Sequence, residues 1–500
     1  MSQHRSENID GRNASVASPP RICIVGGGLS GLATAYRLHR LLPEASISIF
    51  EAAPRVGGVI YSERCNDYLV DHGADMFATN PPAAMLLCKE LGVADKLIEP
   101  LIEGRGAKIV NGGRLEALPE GFVLMRATQL WPMIRTPLLS IRGKLRFLME
   151  RWIPVKRNQG EDTQDESIGD FVRRRMGHEM LDRIVAPLTA GIYTADIDRL
   201  SMLATMGPIA KMEATHGSLA KATSARRKSG DDSVERNSAG ARYSQFRAFP
   251  EGMRQLIESL VAKLPPNCIH TETRVTSLTR SSTSGWNLNL TKHKAERCES
   301  FDEVVIATPP RVTADLIGNI STEAANTLAD IEASSVAIVM LGVEQAQVAR
   351  PANCFGFVVP LSEDRKILAC SFASQKFSGR APADRILIRV FVGGAMQPEL
   401  LQKSDQELSE LVREELAELI GLTGEPELTK VVRWNEAMPQ YHVGHLDRVK
   451  KIESELAKVD GLTVVSNSLH GVGISPVISQ ADNTAKQIAA RFQSLSNATG

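Results

Sequence analysis

The 500-residue sequence predicts an α/β fold, α+β overall, in which a parallel sheet is combined with an antiparallel sheet and a helical insertion. Three observations carry this prediction. A strand–turn–helix–strand unit occupies residues 21–51, residues 119–217 are mainly helical in pattern, and four apolar runs rich in β-branched residues lie between residues 336 and 392. A chain of this length is expected to form about two or three domains with a large core.

The first unit contains a glycine-rich turn. Arg21–Val25 is a short β-branched run typical of a buried parallel strand, and Gly26, Gly28 and Gly31 follow it in the G-x-G-x-x-G spacing, with a helix predicted to about Leu42. The first glycine permits the tight turn, the second lets the backbone approach a pyrophosphate, and the third lets the helix lie close to the strand. The helix N-terminus adds free N–H groups and a positive dipole end. This order predicts a Rossmann-like domain that binds a dinucleotide.

An acidic residue completes the unit. The second strand, Ser46–Phe50, ends directly against Glu51, twenty positions after Gly31, where a carboxylate can accept a hydrogen bond from a ribose hydroxyl. The glycine spacing alone is weak evidence, because glycine-rich turns join many strands to helices. The complete unit in the right order strongly disfavours a turn with a purely structural role. It does not choose between a nicotinamide and a flavin dinucleotide.

The next segment predicts a hairpin region, a helix and a second hairpin. Val59–Tyr68 has the first hairpin pattern, and Gly73 follows it at a strand end, where glycine can bring the backbone close to a ligand. Pro81–Leu97 is predicted to be helical. Lys108–Asn111 and Arg114–Leu118 are predicted strands joined by a Gly-Gly turn.

The helical region that follows contains a basic amphipathic stretch, Leu130–Arg157. Its large apolar members alternate with basic ones: Trp131, Met133, Ile134, Leu138, Leu139, Phe147 and Trp152 with Arg135, Arg142, Lys144, Arg146, Arg151, Lys156 and Arg157. Such a stretch can rest on an anionic membrane surface. A helix pair with one core face and one solvated basic face would produce the same pattern, and the periodicity does not choose between the two. Thr223–Tyr243, poor in apolar residues, is predicted to be a mobile surface loop.

The second half predicts an antiparallel sheet and then a return to the first domain. Its strand-like runs are Val336–Val343, Phe355–Val359, Ile367–Phe372 and Ile386–Val392. Asp405–Ile420 is predicted to be a helix. A last strand at Leu462–Val465, a glycine-bearing turn at Asn467–Ile474 and a closing helix at Val477–Phe492 would bring a second helix N-terminus to the same ligand.

Composition excludes several classes of protein. The chain has 58 basic and 58 acidic residues, which gives no general electrostatic reason to expect a nucleic-acid partner. Seven scattered cysteines do not suggest a disulfide framework and are expected to be reduced thiols in the cytoplasm. No apolar run reaches the ~18–20 residues that span a bilayer. The polar first twenty residues have no signal-peptide apolar region and are predicted to be a disordered tail. No metal site is predicted.

Several stretches together resemble a known family. Arg55-Val56-Gly57-Gly58 extends the first unit in the manner of flavoenzymes related to amine oxidases. The stretches FEAAPRVGGVI, RTPLLSIRGKLRFLMER, ESIGDFVRRRMG, VAPLTAGIYTADIDRLSM, RWNEAMPQYHVGHL and NSLHGVGISPVI are similar to those of oxygen-dependent, FAD-containing protoporphyrinogen oxidases, from about Arg21 to Phe492. That family implies an FAD domain of the p-hydroxybenzoate hydroxylase type, a substrate domain built on an antiparallel sheet, and an inserted helical domain.

The resemblance also implies site residues. The residues expected to line FAD are Gly26, Gly27, Gly28, Leu29, Ser30, Gly31, Glu51, Ala52, Arg55, Gly58, Val59, Gly73, Ala74, Asp75, Met76, Val275, Val472, Gly473 and Ile474. The residues expected near substrate are Arg105 or Lys108, to hold a propionate, with Gly191 and Phe372. Solvated surface charges and a core phenylalanine are the alternative roles for these residues. The chain departs from the family pattern at Ser466, where glycine is usual, and at Ala74, where proline is usual.

The family chemistry removes six electrons from a porphyrinogen in three two-electron rounds, and oxygen is reduced to hydrogen peroxide. The cofactor carries the difficult chemistry, so no side-chain acid, base or nucleophile is assigned. The expected partners are therefore noncovalent FAD, a porphyrinogen and O2, with a weak peripheral membrane contact of an otherwise cytoplasmic protein. Protoporphyrinogen IX is the first reading of the substrate and coproporphyrinogen III the second. The sequence does not indicate the oligomeric state.

Two other functions stay open at this point. A flavin amine oxidase would share the fold, although the chain has no cysteine after Cys370 for C-terminal covalent attachment of flavin. A flavin-binding assembly factor without turnover would keep the same fingerprint. The predicted division of the chain is a tail at 1–20, the FAD domain at 21–105, 249–310 and 433–500, the substrate domain at 106–118 and 311–432, and the helical insertion at 119–248 with its mobile loop at 223–243.

Overall fold

The computed structural model describes residues 19–123, 125–156, 165–229, 245–282 and 285–499. The predicted tail lies outside these residues, except for Pro19 and Pro20. Arg157 and residues 230–243 of the predicted loop also lie outside them.

A five-stranded parallel sheet forms the first domain, as the opening unit predicts. Its strand order is Ile269–His270, Ser46–Phe50, Arg21–Val25, Glu303–Ile306 and Leu462–Val464, and every pairing is parallel. Successive side chains of a strand point to opposite faces. Ile22 and Ile24 therefore pack into one hydrophobic core, while Cys23 and Val25 pack into another on the other face. Both faces are covered, which is typical of parallel sheets.

The two faces carry different layers. Helices cover the first face: Leu29–Leu41, Ala83–Leu91, Arg254–Val261 and Ile474–Thr499, with a short 3₁₀ turn at Ala94–Lys96. A three-stranded antiparallel sheet and three helices cover the second: Thr273–Arg280, Trp286–Lys292, Ala295–Phe301, Pro310–Ile317, Thr322–Ala329 and His445–Leu456. The strands Ser62–Cys65 and Tyr68–Asp71 form a hairpin, and its Tyr68 and Val70 share a hydrophobic core with residues of the second sheet described next.

The second sheet has seven strands and confirms the predicted antiparallel sheet. In order, they are Leu428–Pro439, Ala333–Glu344, Arg385–Gly393, Ala369–Phe372, Gly356–Val358, Ala107–Asn111 and Arg114–Ala117. All neighbours are antiparallel except Gly356–Val358 and Ala107–Asn111. Two helices and three 3₁₀ turns accompany this sheet. The helices are Ala373–Lys376 and Asp405–Ile420, and the turns are Gln345–Gln347, Leu361–Glu363 and Pro398–Gln402.

A helical insertion packs against this second sheet. After the short pairs Phe122–Val123 with Arg126–Ala127 and Phe77–Ala78 with Phe246–Arg247, its helical segments are Leu130–Arg135, Ile141–Leu148, Met149–Trp152, Ile168–Arg175, His178–Met180, Leu181–Val185, Ala186–Tyr193, Met202–His216 and Leu219–Ser229. The segment Leu181–Val185 is π-helical within a continuous run. Ser140, Ser167 and Ser201 cap three of these helices by accepting backbone N–H bonds.

The structure corrects one element of the sequence prediction, and it supports a changed proposal for one domain boundary. Residues 223–229 were expected to belong to a mobile loop, but they form the end of helix Leu219–Ser229. Helices Pro310–Ile317 and Thr322–Ala329 share a core with the parallel sheet, whereas strand Leu428–Pro439 belongs to the second sheet. We therefore propose that the substrate domain covers about residues 333–439 of the second half instead of 311–432.

Two further observations concern the described residues as a whole. None of their helices is long and apolar enough to cross a lipid bilayer. The seven cysteines all lie among them and are free thiols, as the sequence predicts.

Candidate active site

A cavity of about 560 Å³ opens where the strands of the parallel sheet end. We call it the cofactor cavity. It is lined by residues 28–30 of the glycine-rich turn and by the segment after Ser46–Phe50. The other walls are formed by residues 307–310, 434–437, 466–467 and 472–474, with Ala74. Carboxyl ends of parallel strands are the usual binding edge of such sheets.

The glycines of the turn have distinct roles. Gly26 has φ +109°, a region that favours glycine, and a Cβ there would lie 2.6 Å from the Ala307 carbonyl oxygen. A Cβ at Gly31 would lie 2.0 Å from the Gly26 carbonyl oxygen, so the helix can approach the turn only with glycine. A Cβ at Gly28 would meet nothing within 4 Å, because it would project into the cofactor cavity. Gly26 and Gly31 build the turn, and Gly28 leaves room for a ligand.

Electrostatics at the turn favour an anion. Helix Leu29–Leu41 begins at Gly28 without a side-chain cap and without an acidic residue in its first turn. Its free N–H groups and its dipole therefore face the cavity without a cap or an acidic residue from the helix itself. Glu51 lines the same cavity and accepts 2.7 Å hydrogen bonds from the backbone N–H groups of Gly27 and Ala53. The carboxylate ties the turn to the end of the second strand, and its remaining lone pairs can still accept a ribose hydroxyl.

Most residues predicted to line the cofactor come together here. The predicted residues on the cavity wall are Gly28, Leu29, Ser30, Glu51, Arg55, Gly58, Val59, Ala74, Val472, Gly473 and Ile474. Gly26, Gly27 and Gly31 lie in the turn behind it, and Gly73 lies beside the backbone of Val59. Ala52 is exposed at the strand end, and Val275 is buried in the core between the sheets. Asp75 and Met76 face a different cavity.

That second cavity, which we call the apolar cavity, has a volume of about 450 Å³. It lies between the helical insertion and the second sheet, and its walls are largely hydrophobic: Met125, Leu188, Ile192, Met206, Phe357 and Phe391 are among them. Ala74 lines the cofactor cavity and the next residues, Asp75 and Met76, line the apolar cavity. One short segment therefore separates the cofactor cavity from the apolar cavity. An apolar cavity beside a cofactor site is the usual form of a substrate pocket.

The residues predicted to contact substrate are only partly brought to this cavity. Gly191 lines it. Phe372 is buried in the hydrophobic core of the second sheet, while its neighbours Cys370 and Ser371 line the cavity. Arg105 donates hydrogen bonds to the carbonyl oxygens of residues 100 and 101. Lys108 follows Ala107, which lines the cavity, so the alternation of the strand turns the lysine away.

A buried charge cluster on the cavity wall was not anticipated from the sequence. The Asp75 carboxylate lies 2.6 Å from Lys376 Nζ and 3.0 Å from Arg389 Nη1. Arg389 also donates to the Gly73 carbonyl oxygen at 2.5 Å. Burial opposes ionisation of Asp75, but the charges of Lys376 and Arg389 outweigh it and lower the pKa of the carboxyl group. We call these three residues the cation cluster.

A second unanticipated feature holds the loop of residues 466–474, both ends of which line the cofactor cavity. The buried Tyr441 hydroxyl donates to the Asn467 carbonyl oxygen and accepts from the Gly471 N–H group at 2.7 Å. His445 stacks on this ring with centroids 3.8 Å apart, and its Nε2 lies 3.1 Å from the Leu469 carbonyl oxygen. These two side chains therefore bind three backbone positions of the loop that leads into the cavity wall.

We call Tyr441 and His445 the loop clamp. Its response to pH follows from the burial of His445. Burial lowers the pKa of His445 from 6.5 to about 4, so the folded protein keeps the imidazole neutral. Between these two values the unfolded chain binds more protons than the folded one, and the contribution of His445 to stability therefore falls as pH drops from 6.5 toward 4. At pH values above 6.5 the loop clamp makes its full contribution to stability.

Tyr441→Phe is expected to lower the free energy of unfolding by about 1–3 kcal/mol, because the buried Tyr441 side chain loses two hydrogen bonds to the loop. Urea denaturation followed by fluorescence measures this change. Tyr36→Phe is the matched control, because Tyr36 is as buried as Tyr441 but its hydroxyl makes only a long 3.4 Å contact with Arg40. Equal stabilities of the two variants would contradict the role of Tyr441.

Comparison with known proteins agrees with this geometry. The family model for flavin-containing amine oxidoreductases matches residues 29–489 of the chain. The coproporphyrinogen III oxidase of Bacillus subtilis (strain 168) is 32% identical over 464 residues, covering 92% of this chain and 96% of the relative. Protoporphyrinogen oxidase 2, chloroplastic/mitochondrial, of Arabidopsis thaliana is 26% identical over 517 residues, covering 99% of this chain and 97% of the relative.

A solved structure extends this similarity to the fold. The crystal structure of a protein from Exiguobacterium sp. 255-15, provisionally described as a protoporphyrinogen oxidase, superposes with a TM-score of 0.82 at 27% identity. The superposition covers 94% of this chain and 99% of that one. The similarity therefore includes both sheets and the helical insertion, not the dinucleotide-binding unit alone.

Proposed function

The chain belongs to the flavin-containing amine oxidoreductase family, and on that premise we propose that it is an FAD-dependent porphyrinogen oxidase. The observation that carries the proposal is the apolar cavity, separated from the cofactor cavity by the single segment Ala74–Met76. A macrocycle with apolar substituents needs such a pocket, and oxidation by a flavin needs the two sites in contact. Full-length similarity to porphyrinogen oxidases of both substrate types supports the same reaction.

The cofactor cavity fits FAD. The open space over Gly28 and the uncapped helix N-terminus suit a pyrophosphate, Glu51 suits the ribose, and the segment Val472–Ile474 forms a further part of the wall. Bound FAD would supply hydride acceptance from a methylene bridge of the macrocycle and transfer of the electrons to oxygen. The protein itself binds and orients the two partners, and its hydrophobic walls exclude water from the space between them.

We expect the flavin to be noncovalent. The cavity wall described above contains no cysteine, and the last cysteine of the chain is Cys370. Precipitation of the purified yellow protein with acid should release all of the flavin to the supernatant, where its absorption spectrum and mass identify FAD. Flavin that stays with the pellet after washing, or a released flavin without the adenine nucleotide, would refute this prediction.

Two porphyrinogens are candidate substrates. Protoporphyrinogen IX is our first reading, because the walls of the apolar cavity are hydrophobic. Coproporphyrinogen III is the second, supported by the 32% identity to the enzyme of that name. The test is a side-by-side measurement of porphyrin fluorescence and peroxide release with the two compounds under air. Peroxide release with amines but with neither porphyrinogen would favour an amine oxidase, and no turnover at all would favour a flavin-binding assembly factor.

The amphipathic stretch of the insertion supports a proposal about membranes. Its outer side carries a set of exposed apolar side chains, which we call the apolar patch: Leu130, Trp131, Ile134, Ile141, Leu145, Met149 and Trp152, with exposed fractions between 40% and 77%. Arg135, Arg142, Arg151 and Lys156 are exposed among them, and Glu150, the one acidic residue of segment 130–156, is buried. We propose that this surface docks weakly on anionic membranes, where lipid-soluble porphyrinogens collect.

Sedimentation with vesicles containing anionic lipid should show binding at low salt and release at high salt. Basic groups near such a surface contribute about 1 kcal/mol each, and their effect fades within a Debye length. Trp131→Ala and Trp152→Ala should weaken binding, whereas Ile102→Ala should not, although Ile102 is 74% exposed outside the apolar patch. Protein that stays in the supernatant at low salt would show that the basic face is only a solvated surface.

A further inference from the structure

The cation cluster carries an excess positive charge inside the protein. Asp75 contributes one negative charge, whereas Lys376 and Arg389 contribute two positive charges, which leaves a net charge of about +1. The neighbouring pair of Arg380 and Asp71, 3.5 Å apart, is neutral and does not change this balance. Asp75 is the only acidic residue among the described residues on the wall of the apolar cavity.

The three side chains of the cation cluster are buried. Asp75 and Lys376 are each 7% exposed and Arg389 is 2% exposed. Arg389 Nε is buried and, within the described part of the chain, has no hydrogen-bond partner. A buried charge without a counter-ion is costly, particularly where the surrounding walls are hydrophobic. A bound anion would remove this cost.

We propose that Lys376 and Arg389 bind a carboxylate group of the substrate in the apolar cavity, with Asp75 holding the two cations in place. This inference rests on the proposed function, since a porphyrinogen carries propionate groups. Both cations line the apolar cavity and neither lines the cofactor cavity, which favours a substrate carboxylate over an anionic group of the cofactor. A guanidinium and an ammonium group are the side chains that bind carboxylates best, through charge-assisted hydrogen bonds.

The test measures the binding of protoporphyrin IX and of its dimethyl ester to the flavin-loaded protein by fluorescence quenching. The ester keeps the ring and removes the negative charges. Wild-type protein should prefer the free acid, and Lys376→Met should reduce the acid-to-ester affinity ratio about tenfold, which is typical of a lost hydrogen bond to a charged group. Asp75→Asn should change the ratio in the opposite direction, because it leaves both cations without an internal partner.

Opposite changes in the two variants distinguish an anion site from a structural role, which would lower both affinities together. Lys430→Met is the matched control. Lys430 pairs with Glu63 and lies outside the walls of both cavities. The acid-to-ester affinity ratio of the Lys430→Met protein should therefore stay at the wild-type value. A wild-type ratio in Lys376→Met overturns the inference, and so does a changed flavin reduction potential with an unchanged ratio. Failure of the wild-type protein to bind either porphyrin would refute the proposed function itself.

Discussion

Gly28→Val is expected to yield a folded protein that purifies without flavin. The backbone at Gly28 has φ −70° and ψ 178°, which valine adopts without strain, and the added side chain would meet no protein atom within 4 Å of its Cβ. It would instead occupy the space through which the helix N-terminus approaches a pyrophosphate. We expect FAD affinity to fall by at least roughly a hundredfold, about 2.7 kcal/mol. The ratio of flavin to protein absorbance and a titration of the apoprotein with FAD measure this loss.

Two other glycines supply the controls. Gly207→Ala places a Cβ in open space within helix Met202–His216, outside both cavities, and should keep normal flavin content. Gly31→Ala would put a Cβ 2.0 Å from the Gly26 carbonyl oxygen and should destabilise the fold itself. A Gly28→Val protein with wild-type flavin content would show that the pyrophosphate does not lie over this turn.

The parts of the fold that sequence reasoning found have local causes. The opening unit was predictable because its glycines, strands and acid lie within about thirty consecutive residues, each with its own steric or electrostatic reason. The hairpin Trp286–Phe301 was missed, although the alternation of Trp286, Leu288 and Leu290, all buried, was a usable period-two signal. Its neighbour Ala295–Phe301 is largely exposed and polar, so its own sequence has no such signal.

Other features depend on contacts between distant residues. The cation cluster joins position 75 to positions 376 and 389, and no spacing in the sequence marks those residues as neighbours. The error at residues 223–229 has the same origin. The buried Glu150 carboxylate accepts hydrogen bonds from the N–H groups of Leu219 and Ala220, at the start of the helix that continues through them. This distant cap stabilises a segment whose own composition favours a loop.

Glu150 belongs to a buried ionic network. We expect the largest loss of stability when this network is broken. Arg175 is fully buried, with Nη2 2.7 Å from Glu150 and Nη1 3.1 Å from Glu213. It also donates to the Ile153 and Gly217 carbonyl oxygens. One guanidinium thus joins its own helix to two other segments of the helical insertion, residues 149–153 and 202–217. The insertion supplies walls of the apolar cavity and carries the apolar patch.

Arg175→Met should destabilise the insertion by about 3–5 kcal/mol, because two largely buried carboxylates lose their shared partner. Arg173→Met, two positions earlier in the same helix, is the matched control. Arg173 is 30% exposed and pairs with Asp198 at the surface, so its loss should cost less than about 1 kcal/mol. Urea denaturation measures both changes, and limited proteolysis should cut Arg175→Met first within the insertion while the parallel sheet stays intact. Similar urea midpoints for the two variants would mean that hydrophobic packing around Phe171 and Met176, not the ionic network, determines the stability of the insertion.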